Sequence, residues 1–457
     1  MQEKIRSAIL GLAVADALGV PVEFKSREAL YISPVTDMFG YGTYNQPEGT
    51  WSDDTSMTLC LVDSLSNNGL DYTKIMDNFA SWVKHGDYTP YQEVFDIGNA
   101  TKQAVVNYIQ GIEPLKCGGR NDNDNGNGSL MRILPIAFYI VGKYGLDCET
   151  ATIVDIVHKT SSLTHGHMRS QIACGIYVMI AIELIKGRIL CYAIQNGIQQ
   201  AFSYYSENHE SKYEIKKYTR VKSKGFKDLK ESEIKSSGYV VDTLEAALWC
   251  LLNTDNYKDC VLKAVNLGED TDTVAAVAGG LAGIAYGIKQ IPEEWLSKLV
   301  RREYIEQLCD AFTVTVYADC TKMLSEYKLF FEQATKTNCC EWRSGDKVDE
   351  NTYSFAYPVY CKELNAFTQM VERTYFWKNN YIEIIENNGL KMSDDLVDAI
   401  ERADEELLGA ILTSFIRQER FCDGLIASAV EQKVFLKIIN RLESFNTLCI
   451  CQIKKLD

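Results

Sequence analysis

The 457-residue sequence has no Cys-x-x-Cys pair, no repeat of fixed period, little strand-like alternation and no excess of positive charge. Each absence removes a class of protein. Fifteen cysteines are scattered, many at apolar positions such as Cys60, Cys174 and Cys250, so they read as reduced core residues of a cytoplasmic protein rather than a disulfide framework. Cys339-Cys340 and Cys449-Ile450-Cys451 have no histidine nearby and read as structural. The longest apolar runs, near 173–182 and 274–288, are expected to fall short of a bilayer span. Glu3 and Asp16 interrupt the N-terminal apolar stretch that would otherwise suggest a signal peptide. With 62 acidic against 47 basic side chains the net charge is −15, which opposes binding to nucleic acid or an anionic membrane. Cations are the natural partner.

What the sequence does have is helical periodicity. A hydrophobic content of 46% supports a sizeable core, and windows 3–18, 53–65, 72–84, 101–110, 130–141, 151–160, 167–186, 241–252, 259–267 and 273–286 predict helices. The expected fold class is all-α: a compact helical domain over 1–340, a polar linker at 341–356 and a smaller helical domain over 357–457. The Lys-rich stretch 206–237 reads as a mobile excursion or lid, or equally as a solvated loop without function. In the tail, Arg417, Glu419, Arg420 and Asp423 form either a recognition surface or, more simply, ion pairs at helical spacing. That domain is expected to bind a partner or to self-associate.

Two clusters carry chemistry. Gly49-Thr50-Trp51-Ser52-Asp53-Asp54-Thr55 and Gly268-Glu269-Asp270-Thr271-Asp272-Thr273 each place carboxylates and hydroxyls at the start of an apolar helical run. Carboxylates gain from a helix N-terminus, but two such clusters brought together would repel unless cations lay between them. Oxygen-only donors favour a hard ion such as Mg²⁺ over Zn²⁺. Ser393-Asp394-Asp395 repeats the first tripeptide and reads there as an ordinary N-cap, so the tripeptide alone does not specify a metal site.

Further polar features accompany the clusters: Asp16 in an apolar helix, Glu23 just past Pro21, the loop Asp124-Asn125-Gly126-Asn127-Gly128-Ser129 leading to Arg132, and His165 in Thr164-His165-Gly166-His167. In this order, over roughly residues 3–310, they resemble the ADP-ribosylglycohydrolase family. It includes the ADP-ribosyl-acceptor hydrolases and the enzyme that reactivates dinitrogenase reductase. The resemblance implies an all-α fold, two Mg²⁺ ions (Mn²⁺ in some members) and hydrolysis of the bond joining ADP-ribose to an acceptor. It implies Ser52, Asp53, Asp54, Asp270, Asp272 and Thr273 as metal ligands, and Glu23 as the acid at the scissile bond with Asp54 beside it. It also implies Asp124 to Ser129 and His165 as ligand contacts and Asp16 as support behind the metals.

Two positions depart from the family pattern. Ser52 stands where several members have Thr, and Glu269 where Gly is common, setting another negative charge beside the metals. Backbone N–H groups of Gly126, Asn127 and Gly128, at a helix entrance, are expected to bind pyrophosphate, with Arg132 assisting. A metal-dependent phosphoester hydrolase or a silent ADP-ribose-binding module are the rival readings. The acceptor stays open between a protein side chain, a nucleic-acid base and a small ester. The tail resembles an uncharacterised bacterial helical domain, which names no activity.

Overall fold

The computed structural model describes residues 1–344, 356–391 and 395–453, the side chains of 395 and 446–453 excepted. Among these the chain is helical apart from two short strands, as the periodicity predicts. By internal packing it divides into two units, 1–140 with 148–313 and 141–147 with 314–457. Residues 345–355 of the expected linker lie outside the described residues. Cys340–Arg343 and Tyr357–Tyr360, on either side of them, pair as antiparallel strands, and both belong to the second unit.

In the first unit, the helices Gln2–Gly19, Met168–Ile185 and Thr271–Tyr286 are buried around nearly their whole circumference. Helices apolar on all sides belong in a core. Gln2–Val22 and Met168–Ile185 are in fact long and apolar enough to cross a membrane, which corrects the shorter run expected at 173–182, yet 94% of each apolar window is buried within the protein. The first helix lies against Thr271–Tyr286 through glycines: a Cβ at Gly283 would stand 2.0 Å from the Ser7 carbonyl oxygen, and one at Gly279 would stand 2.5 Å from that of Gly11. Gly283→Ala is therefore expected to cost about 1–3 kcal/mol by forcing the backbones apart. A urea midpoint equal to that of the parent would show that the helices have room to separate.

Other expected helices appear with small shifts, and three differences stand out. The helix expected at 130–141 begins at Pro135, a residue suited to a first turn, while the Leu130 and Met131 amides donate to Asn127 O at 2.8 and 3.1 Å in a turn. Leu190–Glu207 and Arg302–Ser325 are helices that the sequence reading did not place. The stretch 206–237 is packed onto the protein and is not a wholly solvated loop: Ile215, Tyr218, Val221, Phe226 and Ile234 are buried, and the Tyr218 hydroxyl donates to Arg169 O at 2.7 Å.

The second unit has its own core, in which the Phe331, Phe367 and Phe435 rings meet edge-on or tilted. Glu419 does not form the ion pair expected at helical spacing. Its carboxylate accepts from the Tyr360 hydroxyl at 2.5 Å and from the Gly424 and Ile426 amides, each at 2.7 Å, and so holds the turn after Glu405–Gln418. Arg417 lies over the Trp377 ring instead. Ser393 and Asp394 lie outside the described residues, as do the side chains of Cys449 and Cys451.

Candidate active site

The two acidic clusters meet because their helices start side by side. The Thr271 hydroxyl donates to Gly19 O at 2.8 Å, which fixes the end of the first helix against the start of Thr271–Tyr286. Asp16, fully buried near that end, accepts from the Ser52 amide at 3.0 Å, the Thr55 amide at 3.1 Å and the Thr55 hydroxyl at 2.6 Å. It thereby pins the first turn of the helix Asp53–Asn68. Ser52 caps this helix: its hydroxyl accepts from the Asp54 amide at 3.3 Å and donates to the Asp54 carboxylate at 3.1 Å.

Asp270 behaves differently from an ordinary cap. Asp71 and Asp404 accept amides of their own helices, whereas Asp270 makes no such bond and turns its carboxylate to Asn127, whose side-chain amide donates at 2.7 Å. Its carboxylate is thus turned to the loop and not to its own helix. The Thr273 hydroxyl reaches across to Asp54 at 3.2 Å and joins the two clusters.

Beside these groups is a cavity of about 370 Å³, lined among others by Glu23, Phe24, Asp53, Asp96, Gly126, Asn127, Gly128, His165, Asp270 and Thr273. Among the described lining residues there is no Lys or Arg. Oxygens of Glu23, Asp96 and Asp272 lie within 4.8 Å of one another, as do those of Asp16, Asp54 and Asp272, so Asp272 is common to both groups. Glu23 Oε2, Asp54 Oδ1, Asp270 Oδ1 and Asp272 Oδ2 are buried without a hydrogen-bond partner. Buried polar atoms are almost always satisfied, so four orphaned carboxylate oxygens at one place fit an absent hard cation. The donor set can hold a metal ion.

Without such an ion the carboxyls are strained toward their protonated forms. Burial, then Asp96, pushes Glu23 from 4.5 up to about 9, and burial pushes Asp16 up to about 6 against the hydrogen bonds it accepts. Burial first, then neighbouring carboxylates, raises Asp53, Asp54 and Asp272 well above the usual range. A carboxyl raised in the folded state favours folding most when protonated, so its contribution is complete below the unfolded value and is lost as pH rises through the folded one. The urea midpoint of the cation-free protein is expected to fall between about 4.5 and about 9, the window set by Glu23. Saturating divalent cation should flatten this slope; an equal slope with and without it would contradict a cation at the carboxylates.

The loop residues divide by direction. Asn127 reaches Asp270, Gly126 and Gly128 line the cavity, and His165 closes one side, buried and neutral, with burial pushing it down to about 3. Asp124 turns to the Asn121 amide at 2.8 Å, Asn125 accepts from the Ser170 hydroxyl at 3.3 Å, and Ser129 faces Ser161 and Cys174 in the core. The loop is not at a helix entrance, since the helix begins only at Pro135, and the Asn127 amide is already donated to Gly238 O at 3.1 Å. Arg132 is fully buried over the Phe79 ring and does not line the cavity. Glu269 is exposed, with its backbone in the left-handed region at φ +63, where glycine is at ease. It belongs to neither group of close carboxylate oxygens.

The sequence reading missed Asp96, a lone acid in a loop, held by the Tyr44 hydroxyl at 2.5 Å. It also missed Gly98 to Thr101, where the helix Asn99–Ile109 starts at the cavity. A glycine before an uncapped helix start was the only available signal.

Known proteins are similar to this chain in sequence and in fold. Residues 1–322 match the family model for ADP-ribosylglycohydrolase, and residues 321–447 match a family of unknown function, DUF6508. The ADP-ribosylarginine hydrolase Tri1 of Serratia proteamaculans is 36% identical over 310 residues, which cover 67% of this chain and 78% of that protein. The ADP-ribosyl-[dinitrogen reductase] glycohydrolase of Rhodospirillum rubrum is 33% identical, over 67% of this chain and 95% of its own. A solved structure described as an ADP-ribosylglycohydrolase-related protein complex superposes with a TM-score of 0.56 at 30% identity, covering 69% of this chain and 98% of that one. The chain therefore belongs to the ADP-ribosylglycohydrolase family and is a glycohydrolase.

Proposed function

We propose that the protein is a Mg²⁺-dependent hydrolase, using two ions with Mn²⁺ as a substitute, that cleaves the glycosidic bond between ADP-ribose and an arginine of a modified protein. The observation that carries the metal dependence is the set of four orphaned carboxylate oxygens, two of them on Glu23 and Asp270, which line a cavity without Lys or Arg among its described lining residues. The arginine acceptor is supported by the Serratia relative and by the Pseudomonas putida ADP-ribosylarginine hydrolase Tri1, 33% identical over 313 residues. Phe24 adds to it: the ring is 70% exposed at the cavity beside Glu23 and Asp96, so an aromatic face and two carboxyls would meet a guanidinium.

Ser52, Asp53, Asp54, Asp270, Asp272 and Thr273 would hold the ions, which when bound would fix the ribose hydroxyls and make water more acidic. The rest falls to the chain. Water adds to the anomeric carbon as the glycosidic bond breaks, its electron pair leaving with the acceptor nitrogen. Glu23 Oε2, free of any other partner, takes the proton from water and returns it to that nitrogen, while its charge steadies the oxocarbenium-like transition state. Asp16 keeps the Ser52–Thr55 turn in place throughout.

Thermal shift tests the binding half of this reading. ADP-ribose is expected to raise the melting temperature more with Mg²⁺ present than with a chelator, because ligand that binds only the folded state stabilises it. Equal shifts in both conditions would contradict the role assigned to the ions.

A further inference from the structure

We propose that Arg132 and Thr164 lock His165 in its Nε2–H tautomer, so that a neutral imidazole presents a fixed hydrogen-bond donor to a diphosphate in the cavity. The tautomer follows from the geometry alone; the diphosphate rests on the function proposed above.

The chain of donors begins at Arg132. Its guanidinium is fully buried, lies 4.8 Å over the Phe79 ring, and donates through Nη2 to Thr160 O at 3.2 Å and to the Thr164 hydroxyl oxygen at 2.8 Å. A guanidinium can only donate, so Thr164 Oγ1 must accept there. The Thr164 hydroxyl then has one proton to place. Thr164 is fully buried, and among the described residues the other hydrogen-bonding neighbour found for its hydroxyl is His165 Nδ1 at 3.0 Å. If Nδ1 carried a proton of its own, the hydroxyl proton would be left buried without an acceptor, a costly arrangement. Nδ1 is therefore the acceptor, and the ring proton sits on Nε2.

The opposite edge of the ring is open. A Cβ at Gly126 would come within 3.5 Å of His165 Nε2, and one at Gly128 within 2.9 Å of Cε1, so the two glycines leave space where the imidazole meets the cavity. Arg132 does not reach that cavity and acts only through Thr164. It is a positioning residue. Burial of the imidazole first, and then the nearby Arg132 charge, oppose a second proton on His165 and outweigh the pull of Asp124. The donor therefore stays neutral and unchanged over the working pH range, which suits a group that offers acceptors only.

Long-range ¹H–¹⁵N spectra of the imidazoles in the full-length labelled protein, with only five histidines to assign, test the lock directly. His165 is expected as the Nε2–H tautomer without ligand, from mildly acidic to mildly alkaline pH. Thr164→Val should mix the tautomers and weaken ADP-ribose binding about tenfold, the scale of one hydrogen bond to a charged group. Thr164→Ser should restore both. An Nδ1–H tautomer in the parent, or a Thr164→Val spectrum identical to it, would overturn the lock. A shifted tautomer with unchanged ADP-ribose affinity would overturn the diphosphate assignment while leaving both the lock and the function proposed above standing.

Discussion

Replacing Asp270 by alanine is expected to abolish turnover and the Mg²⁺-dependent part of ligand binding while leaving the protein folded. Asp270 contributes an oxygen without a partner and a second that accepts from Asn127, so its loss removes a metal donor and frees the loop side chain. The fold has no need of the charge. Burial raises this carboxyl, and its neighbours Asp54, Asp272 and Glu23 are each pushed further by it. Removing it relieves repulsion in the cation-free protein, so the melting temperature without Mg²⁺ should hold or rise while the increment from Mg²⁺ disappears. Asp53→Ala is expected to behave alike, since Asp53 also lines the cavity. Full activity in either variant would leave the carboxylate cluster without its assigned role.

Glu23→Gln should keep ADP-ribose binding yet lower kcat by roughly two orders of magnitude or more, the scale of losing a positioned acid or base. Glutamine keeps the shape and loses the site for the proton. Glu23 is the right group to lose because it is buried, its Oε2 has no partner, and Asp96 and Asp270 add to the burial that holds its carboxyl high. Steady-state kinetics would separate the two effects: a rise in KM with little change in kcat would make Glu23 a binding residue. Activity within a few-fold of the parent would pass its role to Asp96 or Asp54.

The helices and the two acidic clusters could be read from the sequence because each is a local pattern. Apolar residues at helical spacing place Asp53–Asn68 and Thr271–Tyr286, and the acids stand at their first turns. Directions in the loops could not be read this way. Ser129 turns to Ser161, thirty-two residues on, a contact no local pattern reveals, whereas Asp124 is taken by the Asn121 amide three residues before it, in a turn the charge alone does not announce. Arg132 looked like a phosphate contact because of its charge beside a Gly-rich loop, but the late helix start at Pro135 turns it into the core. Asp96 gave no signal because its partners, Tyr44 and Glu23, lie more than fifty residues away in sequence. Glu269 gave a misleading one: its exposure follows from the left-handed backbone that ties it to Phe24 and Lys25.

The most direct measurement is product identity. Purified full-length protein would be incubated with a mono-ADP-ribosylated arginine peptide, with Mg²⁺ or with chelator, and the products resolved by mass spectrometry. The account predicts intact ADP-ribose and unmodified peptide in equal amounts with Mg²⁺, and neither with chelator. Release of AMP, with ribose phosphate left on the peptide, would mean hydrolysis of the pyrophosphate at the same carboxylates, and no product from folded, Mg²⁺-loaded protein would contradict hydrolysis of this substrate altogether.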